Sequence, residues 1–227
     1  MSTKKKLKDY ISKSVRKIKH RKGYGVHSPF AYGIITEVIE EKLPYYGYQR
    51  MTRVYPKNGP VPLKVAQLLF RLANRFRVRR ILEIGCDRGY SILPTLLVDS
   101  RNDVTTVAGA DQKRQTQQHL SLFPHMAERI SFIDSISNLP PDYVADMLIV
   151  NGIPDGMAPD VFVDRMLSLM HANSILFVRG IQPGHQLETY WDAVCDCEQI
   201  EVTMDLYDYG LAIRLPHFFK QHYVVSF

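Results

Sequence analysis

Cysteine is scarce in this sequence: Cys86, Cys195 and Cys197 are the only three in 227 residues. An odd number at these spacings makes neither a paired disulfide framework nor a zinc-ligand pattern. Cys195 and Cys197 are expected to be helix-end thiols. No apolar run approaches a membrane span, and the N-terminus lacks the apolar centre of a signal peptide, so a cytoplasmic protein without a transmembrane segment is expected. Internal repeats and low-complexity tracts are also lacking. With 45% hydrophobic and 23% charged residues the chain is not disordered in composition. Its length suits one domain, or one domain with an extension, around a sizeable core.

Acidic residues are almost missing from the first 24 positions, where ten Lys or Arg face the single Asp9. That segment carries a net charge of +9 and leaves −3 for the rest of a chain whose total is +6. Leu7, Ile11, Val15 and Ile18 fall at helical spacing and give one narrow apolar stripe on a cationic helix near 3–20. Two uses are open. The stripe can dock on the domain or on a second subunit, as in a homodimer. Alternatively the charge can meet nucleic acid or an acidic membrane surface, although no aromatic platform is interleaved with it.

Four segments are expected: a basic amphipathic leader (1–24), a connector and lid (25–62), a main domain (63–215) and a C-terminal tail (216–227). Within the second, a short helix is expected near 31–42, and 43–62, with four prolines and two glycines, reads as a loop. Helical periodicity resumes over 63–76 through Leu68, Leu69 and Leu72. Strands follow near 80–84, 104–108, 130–133, 146–150 and 174–178, and helices near 91–99, 112–121, 158–170 and 184–196. Such alternation predicts an α/β fold with a doubly wound, mostly parallel sheet. Residues 200–206 and 211–215, joined through Asp208-Tyr209-Gly210, read as a final antiparallel hairpin, for seven strands in all. Tyr223-Val224-Val225 is too apolar to be left loose and is expected to dock.

The stretch Ile81-Leu82-Glu83-Ile84-Gly85-Cys86-Asp87-Arg88-Gly89-Tyr90-Ser91 combines a buried strand, an acid near its end, a glycine turn and a helix start. Gly85 and Gly89 permit a sharp turn and close approach of a ligand. Ser91 is expected to cap the next helix, with Pro94 in its first turn. The free N–H groups there would favour a carboxylate or phosphate. A dinucleotide fingerprint would read G-x-G-x-x-G with its acid on the second strand. Here the glycines are four apart and Glu83 lies in the first strand, which favours S-adenosylmethionine over NAD. The alternative is an ordinary strand-to-helix turn with an incidental Glu.

Glu83-Ile84-Gly85-x-x-x-Gly89-Tyr90-Ser91 resembles motif I of class I methyltransferases, in particular the small O-methyltransferases of the catechol and caffeoyl-CoA type. Gln67 and the order of strands through Leu215 fit that family as well. Gly25-Val26-His27-Ser28-Pro29-Phe30 is similar to the N-terminal signature of a bacterial branch of it. The resemblance implies a Rossmann-like methyltransferase fold with S-adenosylmethionine held by Glu83, Gly85, Cys86, Gly89, Tyr90 and Ser91. It implies a ribose-binding acid after the second strand, but Ala108 stands there, and Asp111 either curls back to the ribose or caps a helix. It implies that adenine lies against Asp134-Ser135-Ile136.

The metal-binding acids of the catechol-type enzymes align with Asn151 and with Arg179-Gly180. A divalent ion wants several oxygen ligands and a guanidinium would repel it, so no metal is expected. Asp155 and Asp160 are expected to shape a loop and cap a helix. Arg179 has two readings: a built-in cation for a small, anionic acceptor, with Asn151 beside it, or an ion-pair partner of Glu83, Asp155 or another acid. His27 is either a buttress of the turn before Pro29 or a general base. Three functions compete: a metal-independent methyltransferase acting on a small oxygen or nitrogen nucleophile, a degenerate member kept as a binding or scaffolding module with a basic helix for an anionic partner, and an RNA methyltransferase. For the last, Leu139-Pro140-Pro141-Asp142-Tyr143 lies before the fourth strand, where a catalytic tetrad would follow it.

Overall fold

The computed structural model describes residues 25–57, 59–153 and 156–227. The basic leader, Asn58, Pro154 and Asp155 lie outside the described residues, and with them the expected helix near 3–20.

Five parallel strands form the centre of one sheet: β1 (Arg80–Ile84), β2 (Asp103–Val107), β3 (Ile130–Ile133), β4 (Ala145–Val150) and β5 (Met170–Arg179). Strands β6 (Val202–Asp205) and β7 (Tyr209–Ile213) make the antiparallel hairpin, and β7 lies against β5. With β8 (Gln221–Val224) at the far edge, the order is β3-β2-β1-β4-β5-β7-β6-β8. Strand β1 is central because Ile81, Leu82, Glu83 and Ile84 are buried on both faces. Alternation along each strand then builds two cores. Ile81, Met147, Ile149, Ile175 and Phe177 face the helix Leu63–Arg75 and the N-terminal helix, while Leu82, Leu148, Val150, Leu176 and Val178 face the helices Pro159–Ser168 and Glu188–Asp196.

Several expectations need correction. The sheet has eight strands, because Gln221–Val224 forms β8 parallel to β6 and sinks Val225 into the core. The expected loop 43–62 contains the helix Tyr48–Val54, whose Met51 is fully buried. Helix 91–99 shrinks to Leu93–Leu96, and Ser91 is not its cap. The first helix starts at Pro29, with Ser28 as its cap, and ends in a π-helical turn over Ile35–Ile39. Tyr209 and Gly210 belong to strand β7 rather than to the hairpin turn, which is made by 206–208 with Tyr207 at φ +73°. Gly210 is required by packing, since a Cβ there would lie 2.4 Å from the Trp191 ring.

The lid-side elements are held by one buried cation. Arg71, 5% exposed, donates from Nε to the Val38 carbonyl at 2.5 Å, from one terminal nitrogen to the Ile39 carbonyl at 3.2 Å and from the other to the Tyr48 hydroxyl at 2.7 Å. The guanidinium thus satisfies carbonyls that the π-helical turn leaves at its C-terminal end, where the aligned peptide dipoles favour positive charge.

Candidate functional site

A cavity of about 990 Å³ opens along the carboxyl ends of β1 to β5, the place where an open α/β sheet binds its ligands. Each strand sends one loop into it. Gly85-Cys86-Asp87 follows β1, Ala108-Gly109 follows β2, Asp134-Ser135-Ile136 follows β3, Asn151-Gly152-Ile153 follows β4 and Gly180 follows β5. Arg179, Gln182, Gln186, Asp208 and Tyr209 close the side beyond β5.

The two motif glycines serve the loops themselves. Gly85 has φ +80°, and a Cβ on it would lie 2.6 Å from the Gly152 amide nitrogen, so the loops after β1 and β4 meet backbone to backbone. Gly89 has φ +83°, and a Cβ there would press at 3.2 Å on Leu120 and Thr116 of the helix Ala110–Leu120. Gly89 does not line the cavity; its neighbours are protein side chains.

Glu83 is fully buried and does not line the cavity either. Register places it opposite Thr106 of β2. Thr106 Oγ1 donates to Glu83 Oε2 at 2.6 Å, Asn151 Nδ2 donates to Oε1 at 3.1 Å, and the Ser91 hydroxyl lies against the same oxygen. Ser91 Oγ is also 3.0 Å from Asp87 Oδ1, an atom that accepts the Ser91 amide at 3.0 Å. Burial first, and the nearby Asp87 charge second, raise the Glu83 carboxyl to about 7, against the pull of its Ser91 and Thr106 hydrogen bonds.

Above this layer sits Arg179. One terminal nitrogen meets Asp87 Oδ2 at 2.5 Å and Asn151 Oδ1 at 3.1 Å; the other donates to the Pro60 carbonyl at 2.7 Å. The side chains of this ion pair are only 20% and 11% exposed. Arg179, Asp87, Ser91, Glu83 and Asn151 form one closed polar network, and the Pro60 contact ties the 55–62 segment to it. Of the two readings of Arg179, the geometry has it paired with an acid, and that acid is Asp87.

The remaining candidates divide cleanly. Cys86, Ser135 and Ile136 line the cavity. Cys86 lies 3.0 Å from Thr116 Oγ1, and burial raises its thiol. Ser135 accepts the Ser137 amide at the start of a 3₁₀ turn, and Ile136 is buried beneath it. Tyr90 is turned away: its ring stacks on His119 at 4.0 Å and meets Tyr55 edge-on. Asp111 lies in the first turn of the helix Ala110–Leu120, with its exposed carboxylate 2.7 Å from Arg114, and does not reach the cavity. Gln67 is absent from the lining as well. His27 is an exposed residue of a different groove, beside Pro29, His217 and Phe218, and the helix at Pro29 is capped by Ser28. It is not placed to act as a base here. Asp160 stands in the first turn of Pro159–Ser168 without capping it.

Sequence reasoning missed Asp87 as a partner and Gln112, Gln182, Gln186 and Tyr209 as lining residues. Gln112 takes the role of a clasp: its Oε1 accepts the Gly109 amide at 3.0 Å and its Nε2 donates to the Cys86 carbonyl at 3.2 Å. The G-x-x-x-G spacing could have drawn attention to Asp87 alone.

A divalent cation does not fit this site. Asn151 Oδ1, the one oxygen at the expected first ligand position, faces the Arg179 guanidinium, and Asp87 is neutralised by the same group. Among the described residues, no group of three or more His, Cys, Asp or Glu could hold a metal ion.

No protein-family model matches the chain, and no curated protein matches it. Solved structures do match. An O-methyltransferase from Bacillus cereus in complex with S-adenosylhomocysteine is 14% identical, with 80% of this chain and 97% of that one covered at a TM-score of 0.56. TomG, the O-methyltransferase of tomaymycin synthesis from Streptomyces achromogenes, in complex with S-adenosylmethionine, is 16% identical over 76% and 91% of the two chains, with a TM-score of 0.54. The S-adenosylhomocysteine-bound methyltransferase PaMTH1 of Podospora anserina is 14% identical over 83% and 96%, with a TM-score of 0.56. The class that the architecture defines is therefore the Rossmann-like methyltransferase fold, and within it the chain resembles the small O-methyltransferases.

Proposed function

We propose that this protein is an S-adenosylmethionine-dependent methyltransferase that acts on a small oxygen or nitrogen nucleophile without a metal ion. The observation that carries the reading is the cavity at the carboxyl ends of β1 to β5, built from the loops that the motif and the strand order supply. When bound, S-adenosylmethionine supplies a methyl group activated by a sulfonium. Val107, Ala108 and Ile136 offer apolar walls suited to a nucleoside, with Asp134 and Ser135 as polar contacts. Asp87 is the motif carboxylate that reaches the cavity, and an ammonium there would share it with Arg179. Glu83 acts one layer below, holding Ser91 and Asn151 in place.

Arg179, Gln182, Gln186 and Tyr209 form the wall left for the acceptor. The Arg179 charge is balanced by Asp87, so an anionic acceptor competes with that carboxylate for the guanidinium. Burial raises the Tyr209 phenol, which keeps it a hydrogen-bond donor at neutral pH. Among the described residues no histidine lines the cavity, and proton removal by a dedicated base is not required of an amine or an acidic hydroxyl. The chain's work is alignment of the nucleophile and a fixed field around it. The connector reaches the site through the Pro60 carbonyl, which accepts from Arg179. Cytoplasmic location accords with the sequence; among the described residues, no helix is long and apolar enough to cross a membrane.

Calorimetric and thermal-shift titrations with S-adenosylmethionine and S-adenosylhomocysteine test the reading. Binding to the native state at a hundred times the dissociation constant adds about 2.7 kcal/mol of stability. Ala108→Glu, which restores an acid at the ribose position, is expected to tighten both ligands. If millimolar concentrations of either ligand leave the wild type unshifted, the methyltransferase reading fails and the fold serves as a scaffold.

A further inference from the structure

A second recess of about 440 Å³ lies between the helix Tyr48–Val54 and the segment that leads into β3. It shares no lining residue with the cavity at the carboxyl ends of the strands. Its size falls within the range of small-molecule sites. Its floor is apolar: Val54 from the helix, and Phe123, Pro124 and Met126 opposite, with Met126 9% exposed and Leu122, at the rim, 70% exposed.

Its polar edge has one sign of charge. Arg50 and Arg53 stand at i and i+3 on the Tyr48–Val54 helix and therefore project to the same side. His125 lies across from them, in the short helix Pro124–Ala127. Among the described residues no acidic side chain lines the recess. Among the described residues, neither arginine side chain has a hydrogen bond or an ion pair, in contrast to Arg71, Arg79, Arg114, Arg129 and Arg179, which are all engaged. Two guanidinium forks with unused donors above an apolar trough complement a molecule with a carboxylate at one end and a hydrocarbon body at the other. The forks match a carboxylate geometrically, and the trough removes the hydrocarbon from water.

We propose that this recess binds an amphiphilic monocarboxylate of the size of a medium-chain fatty acid, with the carboxylate on Arg50 and Arg53 and the chain along Val54, Phe123 and Met126. The acid is a ligand of a second site and not the methyl acceptor.

Decanoate, kept below its micelle-forming concentration, is the probe. Calorimetry on the full-length protein is expected to give one site per chain. The exposed pair Arg50→Gln with Arg53→Gln should weaken it at least tenfold at unchanged melting temperature. Decanol, which lacks the charge, and acetate, which lacks the chain, should each bind at least tenfold more weakly than decanoate. Leu122→Glu, a second exposed variant that places a like charge at the rim, should also weaken decanoate. The proposal is overturned if the arginine pair can be replaced without loss. It is equally overturned if decanol binds as well as decanoate, or if decanoate fails to bind while anionic phosphatidylglycerol vesicles capture the wild type and not the double variant. In that last case the surface is a membrane dock.

Discussion

Glu83 and Asp87 share a single hydroxyl: Ser91 Oγ lies against Oε1 of the first and 3.0 Å from Oδ1 of the second. One O–H cannot donate to two carboxylates at once. When Glu83 is protonated it can donate to Ser91, which then donates to Asp87, and the chain ends on the Arg179 guanidinium. When Glu83 is ionised, one of the two acids loses that donor in a buried place. Complete burial first, and the Asp87 charge second, raise Glu83 to about 7, although the Ser91 hydroxyl favours the ionised form.

Stability should therefore depend on pH in a direction opposite to that of an ordinary ion-paired carboxylate. The unfolded Glu83 releases its proton near 4.5, whereas the folded one keeps it to about 7. Between those values the native state binds the extra proton. The contribution is full below pH 4.5 and lost as pH rises through 7, an effect on the order of 3 kcal/mol. Urea unfolding of wild type and Glu83→Gln from pH 5 to 8 measures it. The variant should lack that slope, and equal slopes in the two proteins would remove the linkage.

Arg179→Ala should leave Asp87 unpaired beside Glu83 and free the Pro60 carbonyl. A loss of about 2–3 kcal/mol is expected, below the range for a fully buried pair because the pair is partly exposed. The loss should be larger at pH 8 than at pH 6, since ionised Glu83 then repels Asp87. Chelators and added magnesium should leave methyl transfer unchanged in the wild type. A chelator-sensitive wild-type reaction would contradict the poor fit of Asn151 and Arg179 to a metal.

The motif glycines should separate by experiment. Gly89→Ala carries the left-handed penalty of about 1–2 kcal/mol with a contact that Leu120 and Thr116 side chains can relieve. Gly85→Ala adds a backbone clash with Gly152 that no rotamer relieves, so its cost should be clearly greater and the cavity mouth should shift. Denaturation midpoints of both variants decide the order.

Arg71 tests the attachment of the N-terminal helices. Arg71→Met removes three hydrogen bonds to one buried cation and strands the Val38 and Ile39 carbonyls, for about 2–4 kcal/mol. Arg71→Lys should recover little, because an ammonium cannot reproduce the guanidinium fork. Hydrogen exchange over 29–39 should rise in both variants before the central strands are affected.

Much of the fold is legible in the sequence. The apolar runs at 80–84 and 130–133 coincide with β1 and β3, and the helix–strand alternation leads to the parallel order. Such features are set by covalent spacing: a side chain falls on a given face every second residue of a strand or every three to four of a helix, whatever lies far away. The same locality explains what was misread. Tyr48–Val54 carries few apolar residues among prolines and is helical because Met51 is buried. Gln221–Val224 is a strand because the edge of β6 offers it hydrogen bonds.

The site was legible only as a set of loops. That Glu83 lies in β1 is a sequence fact; that it is sealed beneath Ser91, Thr106 and Asn151 depends on the β1–β2 register and on a residue 68 positions away. Arg179 and Asp87 are 92 positions apart, and nothing in the periodicity of either segment couples them. Asp111, read as a stand-in for the missing ribose acid, points into solvent, and His27, read as a buttress or a base, lies in another groove. Apolar patterning dictates which strands assemble and in what order. Which polar groups then meet is decided by sheet order and register, because a charge taken out of water must find its partner wherever the fold has brought one.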